Sequence, residues 1–216
     1  MRPNAPPLYS ALVEAAMRLA ARGHYHQFRK GSSENEHCSP PREEPLPPGC
    51  VPYMTHLMGT ACILARLGAS DTVLAAALLH DYLEDVPSDD GPEQVRAATG
   101  PQVLDLVLAV TEDKRRERDA TETWEERKRE QIARVAHMPS EAVLIKAADA
   151  LHNLLSLEAD LEQADEPEMV WQRLNSEASR QIWYFTSLAA AIRARLQDHT
   201  LVRELEGAVA RLQSHI

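Results

Sequence analysis

The stretch Leu74–Asp85, LAAALLHDYLED, constrains this chain more than any other. It opens as an almost unbroken apolar run and closes on His80, Asp81, Glu84 and Asp85. With no Gly or Pro along its length, it is predicted to be helix rather than strand. A helix apolar on nearly every face belongs in a protein interior. On such a helix His80 and Glu84 stand at i, i+4, and so do Asp81 and Asp85. Three carboxylates and an imidazole are thereby carried inward together. Buried carboxylates repel one another and lose hydration unless protons or a cation neutralise them. A divalent metal satisfies all of them at once.

The 216 residues suffice for a substantial core, as one large or two small domains. Few glycines among abundant Ala, Leu, Glu and Arg favour helix. A formal charge of −10 argues against nucleic-acid polymers and anionic membranes as partners, while leaving room for a local basic pocket. No stretch reaches the ~18 apolar residues of a membrane span. The start, MRPNAPPLYS, lacks the apolar core of a signal peptide. The chain therefore reads as cytoplasmic. Cys38, Cys50 and Cys62 cannot all pair and show no CxxC spacing; a Cys38–Cys50 bridge is disfavoured in that compartment.

Along the chain, helices are predicted from about Leu8 to Arg22, closed by Gly23, and from Tyr53 to Leu67, closed by Gly68. Between them Gly31–Gly49 is polar and proline-rich and reads as a loop inserted within a domain. Ser70 or Asp71 can cap the central helix. A short helix capped by Asp90 ends at Gly100, and Pro101 opens another through Val110. Glu112–Arg129 is dense in both charges and reads as a solvated helix face. Glu141–Leu157 is a second helix of buried character, broken in its apolar pattern by Lys146, Asp149, His152 and Asn153. Pro167 opens a helix to about Gln197, and Leu201–Leu212 supplies the last. With no strand pattern and no internal repeat, residues 1–216 read as a single all-α domain of about eight to ten helices.

Taken alone, a His-Asp pair on an apolar helix is most often a satisfied core pair. Here His56 on the preceding helix and Asp149 on the later one are also polar residues in apolar surroundings. Two imidazoles and two carboxylates make a mixed N/O site, suited to Mn²⁺, Zn²⁺, Fe²⁺ or Co²⁺ better than an all-oxygen Mg²⁺ or Ca²⁺ cage.

These residues carry a resemblance. His56, His80-Asp81 and Asp149 follow the H…HD…D order of the HD-domain metal phosphohydrolases. Phe28–Lys30 (FRK), Pro52–His56 (PYxxH), Ala76–Asp85, Ala109–Lys114 (xVTxDK) and Ile145–Asn153 (IKxADxLHN) resemble the hydrolase domain of the RelA/SpoT alarmone enzymes. An ERK segment (Glu126–Lys128) and Tyr184-Phe185 extend the likeness, which covers about Leu12 to Leu212 and matches a stand-alone small alarmone hydrolase. The resemblance implies one metal, Mn²⁺, held by His56, His80, Asp81 and Asp149. It implies Glu84 and Asp85 as the catalytic acid pair, Arg29 and Lys30 on substrate phosphates, and Asn153 and Tyr184 near the nucleotide. The reaction implied is hydrolysis of the 3′-diphosphate of (p)ppGpp to GDP or GTP and pyrophosphate. His152 reads as a partner to a ligand rather than a ligand, and Trp124, Trp171 and Trp183 as packing. The chain departs from the family at Leu57, where Pro is usual, at Ala150, where a basic residue is common, and at the 31–49 insertion. Two other readings use the same residues: an HD phosphohydrolase for another nucleotide, such as the 2′-phosphate of NADPH, and a non-catalytic alarmone-binding module.

Overall fold

Ser10 starts the first helix by accepting the Val13 N–H on its side chain. The computed structural model describes residues 8–29, 50–174 and 176–215. The predicted insertion at 31–49 and Lys30 lie outside them. Helix α1 is Ala11–Gly23, α2 Met54–Arg66, α3 Asp71–Leu78, α4 Tyr82–Asp85, α5 Gly91–Thr99 and α6 Pro101–Val110. After them come α7 Ala120–Arg134, α8 Ser140–Gln163, α9 Pro167–Gln172, α10 Ala178–Leu196 and α11 Thr200–Gln213. Among the described residues the fold is all-α, with a single isolated β-bridge between Phe28 and Pro52.

Helix α3 packs against α1, α2, α6 and α8. Ala75, Ala76 and Ala77 are fully buried, and their small side chains let four neighbours approach its axis closely. Helix α8 packs on α2, α3, α6, α9, α10 and α11, with Ile145, Leu154, Leu157 and Leu161 in the core. Helices α2, α3 and α8 therefore meet one another inside the bundle.

Two predicted helices are broken. The stretch Leu74–Asp85 is not continuous: α3 stops at Leu78, Leu79–Asp81 form a turn, and α4 follows. The ladder tightens there, with Leu79 N–H donating to Ala76 and Tyr82 N–H to Leu79. The i, i+4 relation of His80 to Glu84 and of Asp81 to Asp85 is thus replaced by a bend. The predicted helix from Pro167 to Gln197 is likewise divided into α9 and α10.

Elsewhere the stops act as expected. Gly68 (φ 74°) and Gly100 (φ 87°) take left-handed conformations that end α2 and α5. The run Glu112–Arg129 departs from a solvated face, since Glu112, Thr123, Trp124 and Arg127 are buried. Cys62 is free and exposed, and Cys50 is in a disulfide, against the expectation of no bridge.

Candidate metal centre

His56 lies in the first turn of α2, on its buried face. His80 and Asp81 occupy the turn after α3, and Asp149 lies midway along α8. The break in the central helix has a direct use. His80 donates from Nδ1 to the Ala77 carbonyl at 2.7 Å, an acceptor that a continuous helix would give to the Asp81 N–H. That bond fixes the tautomer and leaves the Nε2 lone pair facing the site.

The four predicted ligands converge. Nε2 of His56 and Nε2 of His80 are 3.2 Å apart. Asp149 Oδ1 lies 3.2 Å from His56 Nε2 and 3.6 Å from His80 Nε2. Asp81 Oδ2 lies 3.2 Å from His80 Nε2 and 3.7 Å from His56 Nε2. Donor atoms about 2.1 Å from a shared ion stand roughly 3–4 Å from one another, so this spacing fits a first-row divalent ion. His56, His80 and Asp149 form a group whose ligand atoms all lie within 4.8 Å of one another.

The surroundings hold these donors in place. His56 Nδ1 faces His152 Nδ1 at 3.0 Å, so His152 stands directly behind His56. Tyr53 donates its hydroxyl to Asp81 Oδ2 at 2.5 Å. Lys146 Nζ is 2.9 Å from Asp149 Oδ2, and Asn153 Nδ2 donates to Asp149 Oδ1 at 2.6 Å. Asn153 in turn accepts from Arg29 at 2.8 Å. Arg29 is brought there by the pairing of the two segments, with Arg29 N–H donating to Val51 and Tyr53 N–H to Gln27.

Electrostatically the cluster is a trap for positive charge. Burial pushes the Asp81 carboxyl up, but His80 outweighs it and holds it well below the usual range. Burial acts the same way on Asp149, where Lys146 and the two histidines prevail. Burial lowers His56, while His80 is raised against burial by Asp81 and Asp149. Two anionic carboxylates facing two imidazole nitrogens are the donors a divalent cation takes.

Glu84 and Asp85 sit beside this cluster but are not drawn into it. Burial, then Asp81, raises Glu84 to about 7, with Lys114 and Lys146 pulling the other way. Its Oε1 accepts the Glu112 N–H at 2.6 Å, and its Oε2 lies 3.1 Å from Lys114 Nζ. The same ammonium is 3.3 Å from Asp85 Oδ1, so it clamps the two acids together. Glu112 itself is buried in an ion pair with Arg127 and 2.8 Å from Lys128 Nζ, and it accepts from Gln131. Tyr184, a buried residue, donates to Gln131 Oε1 at 2.7 Å.

A cavity of about 370 Å³ opens on all of this. Asp81, Glu84, Asp85 and Asp149 line it, as do Arg29, Asn153 and Tyr184 from the sequence expectation. Lys114, Arg127, Lys128 and Lys146 line it too, and Ala150 shows that these cations do not depend on that position. Charge composition alone missed Arg127, Lys128 and Glu112, because a charged run looks the same whether its face meets water or a cavity. The available signals were the ERK segment Glu126–Lys128 and Lys146, three residues before Asp149 on an otherwise apolar helix.

The sequence pattern of the HD domain matches residues 39–183, two-thirds of the chain. This chain belongs to the HD-domain family. An HD domain carries a divalent metal, and His56, His80 and Asp149 are where this one has donors for it. It is 39% identical over 148 residues to guanosine-3′,5′-bis(diphosphate) 3′-pyrophosphohydrolase MESH1 of Homo sapiens, covering 68% of this chain and 69% of that protein. It is 36% identical over 150 residues to the Xenopus tropicalis protein of the same name, covering 68% of this chain and 70% of that one. A solved structure described as a metazoan ortholog of SpoT that hydrolyses ppGpp superposes with a TM-score of 0.70 at 27% identity, spanning 98% of this chain and 100% of that chain. Among the described residues, no helix is long and apolar enough to cross a membrane.

Proposed function

We propose that this chain is a Mn²⁺-dependent (p)ppGpp 3′-pyrophosphohydrolase, formed by residues 1–216 as one HD hydrolase domain and acting in the cytoplasm on a soluble nucleotide. The observation that carries the reading is the meeting of His56, His80, Asp81 and Asp149 at 3.2–3.7 Å beside a cavity lined by cations. The relatives' activity on guanosine 3′,5′-bis(diphosphate) supports the substrate.

In this reading, His56, His80, Asp81 and Asp149 hold one ion. When bound, it supplies Lewis acidity towards a phosphoryl oxygen and lowers the pKa of a nucleophilic water. Water adds its oxygen to the phosphorus bonded to the ribose 3′ oxygen. The P–O3′ bond breaks, and that oxygen takes a proton, giving GDP or GTP and pyrophosphate. Glu84, raised to about 7, is poised to take the proton from water near neutral pH, and Asp85 orients that water. Lys114 keeps both carboxylates in register. Arg29 offsets phosphate charge beside Asn153, with Lys30 next to it in sequence. Tyr184 closes the inner wall of the nucleotide cavity.

The test is release of pyrophosphate from ppGpp by the purified protein loaded with Mn²⁺. Turnover is expected with the wild type and lost, with the bound metal, in Asp81→Ala. Metal-loaded protein that leaves ppGpp intact while cleaving another nucleotide of a panel including NADPH would overturn the substrate assignment.

A further inference from the structure

Asp149, Asn153, Ser156 and Asp160 stand at i, i+4, i+7 and i+11 on α8, and all four line the cavity. They form one stripe that begins at the metal cluster and runs outward for roughly 16 Å of helix axis, the length scale of a nucleotide. The inner members are engaged: Asn153 bonds Asp149 and Arg29, and Ser156 lies 3.3 Å from His152 Nδ1. Asp160 differs. Among the described residues no hydrogen bond or ion pair satisfies its carboxylate, although it is half-buried in the cavity wall. Burial raises its pKa, with Arg29 and Arg173 pulling the other way.

A carboxylate in that place excludes one part of a nucleotide and selects another. The polyphosphate cannot lie against it, because like charges repel strongly in a partly desolvated site. The phosphates belong nearer the metal cluster, where Arg29 stands beside Asn153 and where Lys114, Lys128 and Lys146 stand beside Glu84, Glu112 and Asp149. What remains for Asp160 is the base. Guanine presents two adjacent N–H donors, N1–H and the 2-amino group, which fit the two acceptor oxygens of one carboxylate. Adenine presents an acceptor nitrogen at the same edge and would leave the carboxylate opposed and unpaired.

We propose that Asp160 is a specificity-determining residue that reads the guanine edge of the substrate. The inference rests on the nucleotide hydrolase reading above and names the base that reading leaves to relatives.

The experiment uses the Mn²⁺-loaded full chain on ppGpp and on its inosine and adenosine counterparts. The inosine compound, lacking only the 2-amino group, is expected to lose roughly tenfold in kcat/KM, and the adenosine compound more. In Asp160→Asn the amide keeps one acceptor and gains a donor, so the guanine-to-adenine ratio is expected to collapse by about tenfold or more. The loss on ppGpp should fall on KM rather than kcat. Equal turnover of all three by the wild type, or an unchanged ratio in Asp160→Asn, overturns this assignment and leaves the hydrolase reading standing. No turnover of any of the three overturns the hydrolase reading and this inference together.

Discussion

Glu84 and Glu112 show how the same residue type is driven in opposite directions by its neighbours. Glu84 is buried beside another carboxylate and is raised to about 7. Replacing it by Gln keeps its shape but not its basicity. Glu84→Gln is expected to lower kcat by ~10²–10⁴ while the bound metal, measured by elemental analysis, stays the same. Burial would raise Glu112 as well, but Lys128, then Lys146 and Arg127, outweigh it and hold it below its ordinary value of 4.5. Because its folded pKa is depressed, the unfolded chain takes up the proton first as pH falls. The stability this residue contributes is therefore present above 4.5 and lost progressively below it. In denaturant titrations across that window, Glu112→Gln should be less stable at neutral pH, with Arg127 left unpaired, and should show a shallower acid decline.

At the scale of elements, the distance between α2 and α8 is set by one glycine. A Cβ on Gly59 would fall 2.1 Å from the His152 ring, which packs where that side chain would be. Gly59→Ala is expected to cost about 1–3 kcal/mol in thermal or denaturant unfolding and to displace His152 from His56. A titration with Mn²⁺ should then show weaker binding, because the contact orienting the His56 ring is gone. Caps and stops made several helices readable in advance: Ser70, Gly68 and Gly100 act locally, and local signals survive into the fold. The break at Leu79–Asp81 was not readable, since an apolar run has no polar stripe whose phase could slip. It is the loss of one helical turn, not the residue pattern, that frees the Ala77 carbonyl for His80. The residues proposed as ligands stood out in the sequence as polar residues in apolar helices. The buried Arg127 was hidden because its exposed neighbour Arg129 looks identical in sequence.

For the whole molecule, the proposed ligands come from residues 56, 80, 81 and 149, on elements that pack together only in the folded core. An ion bound there has no comparable site in the unfolded chain, so it should stabilise the fold by about 2.7 kcal/mol at a hundredfold excess over Kd. Thermal unfolding is expected to shift upward with Mn²⁺ in the wild type and in Asp160→Asn, and not in Asp149→Asn. A shift that persists in Asp149→Asn would place the ion elsewhere. Lys114, Lys128 and Lys146 also line the cavity together, beside Glu84, Glu112 and Asp149 in turn. Ammonium groups gathered in one place attract any compact polyanion, whether it is arriving or departing. In the proposed reaction the leaving pyrophosphate meets the same ammonium groups as the arriving nucleotide, so added pyrophosphate should inhibit competitively and rising salt should relieve that inhibition.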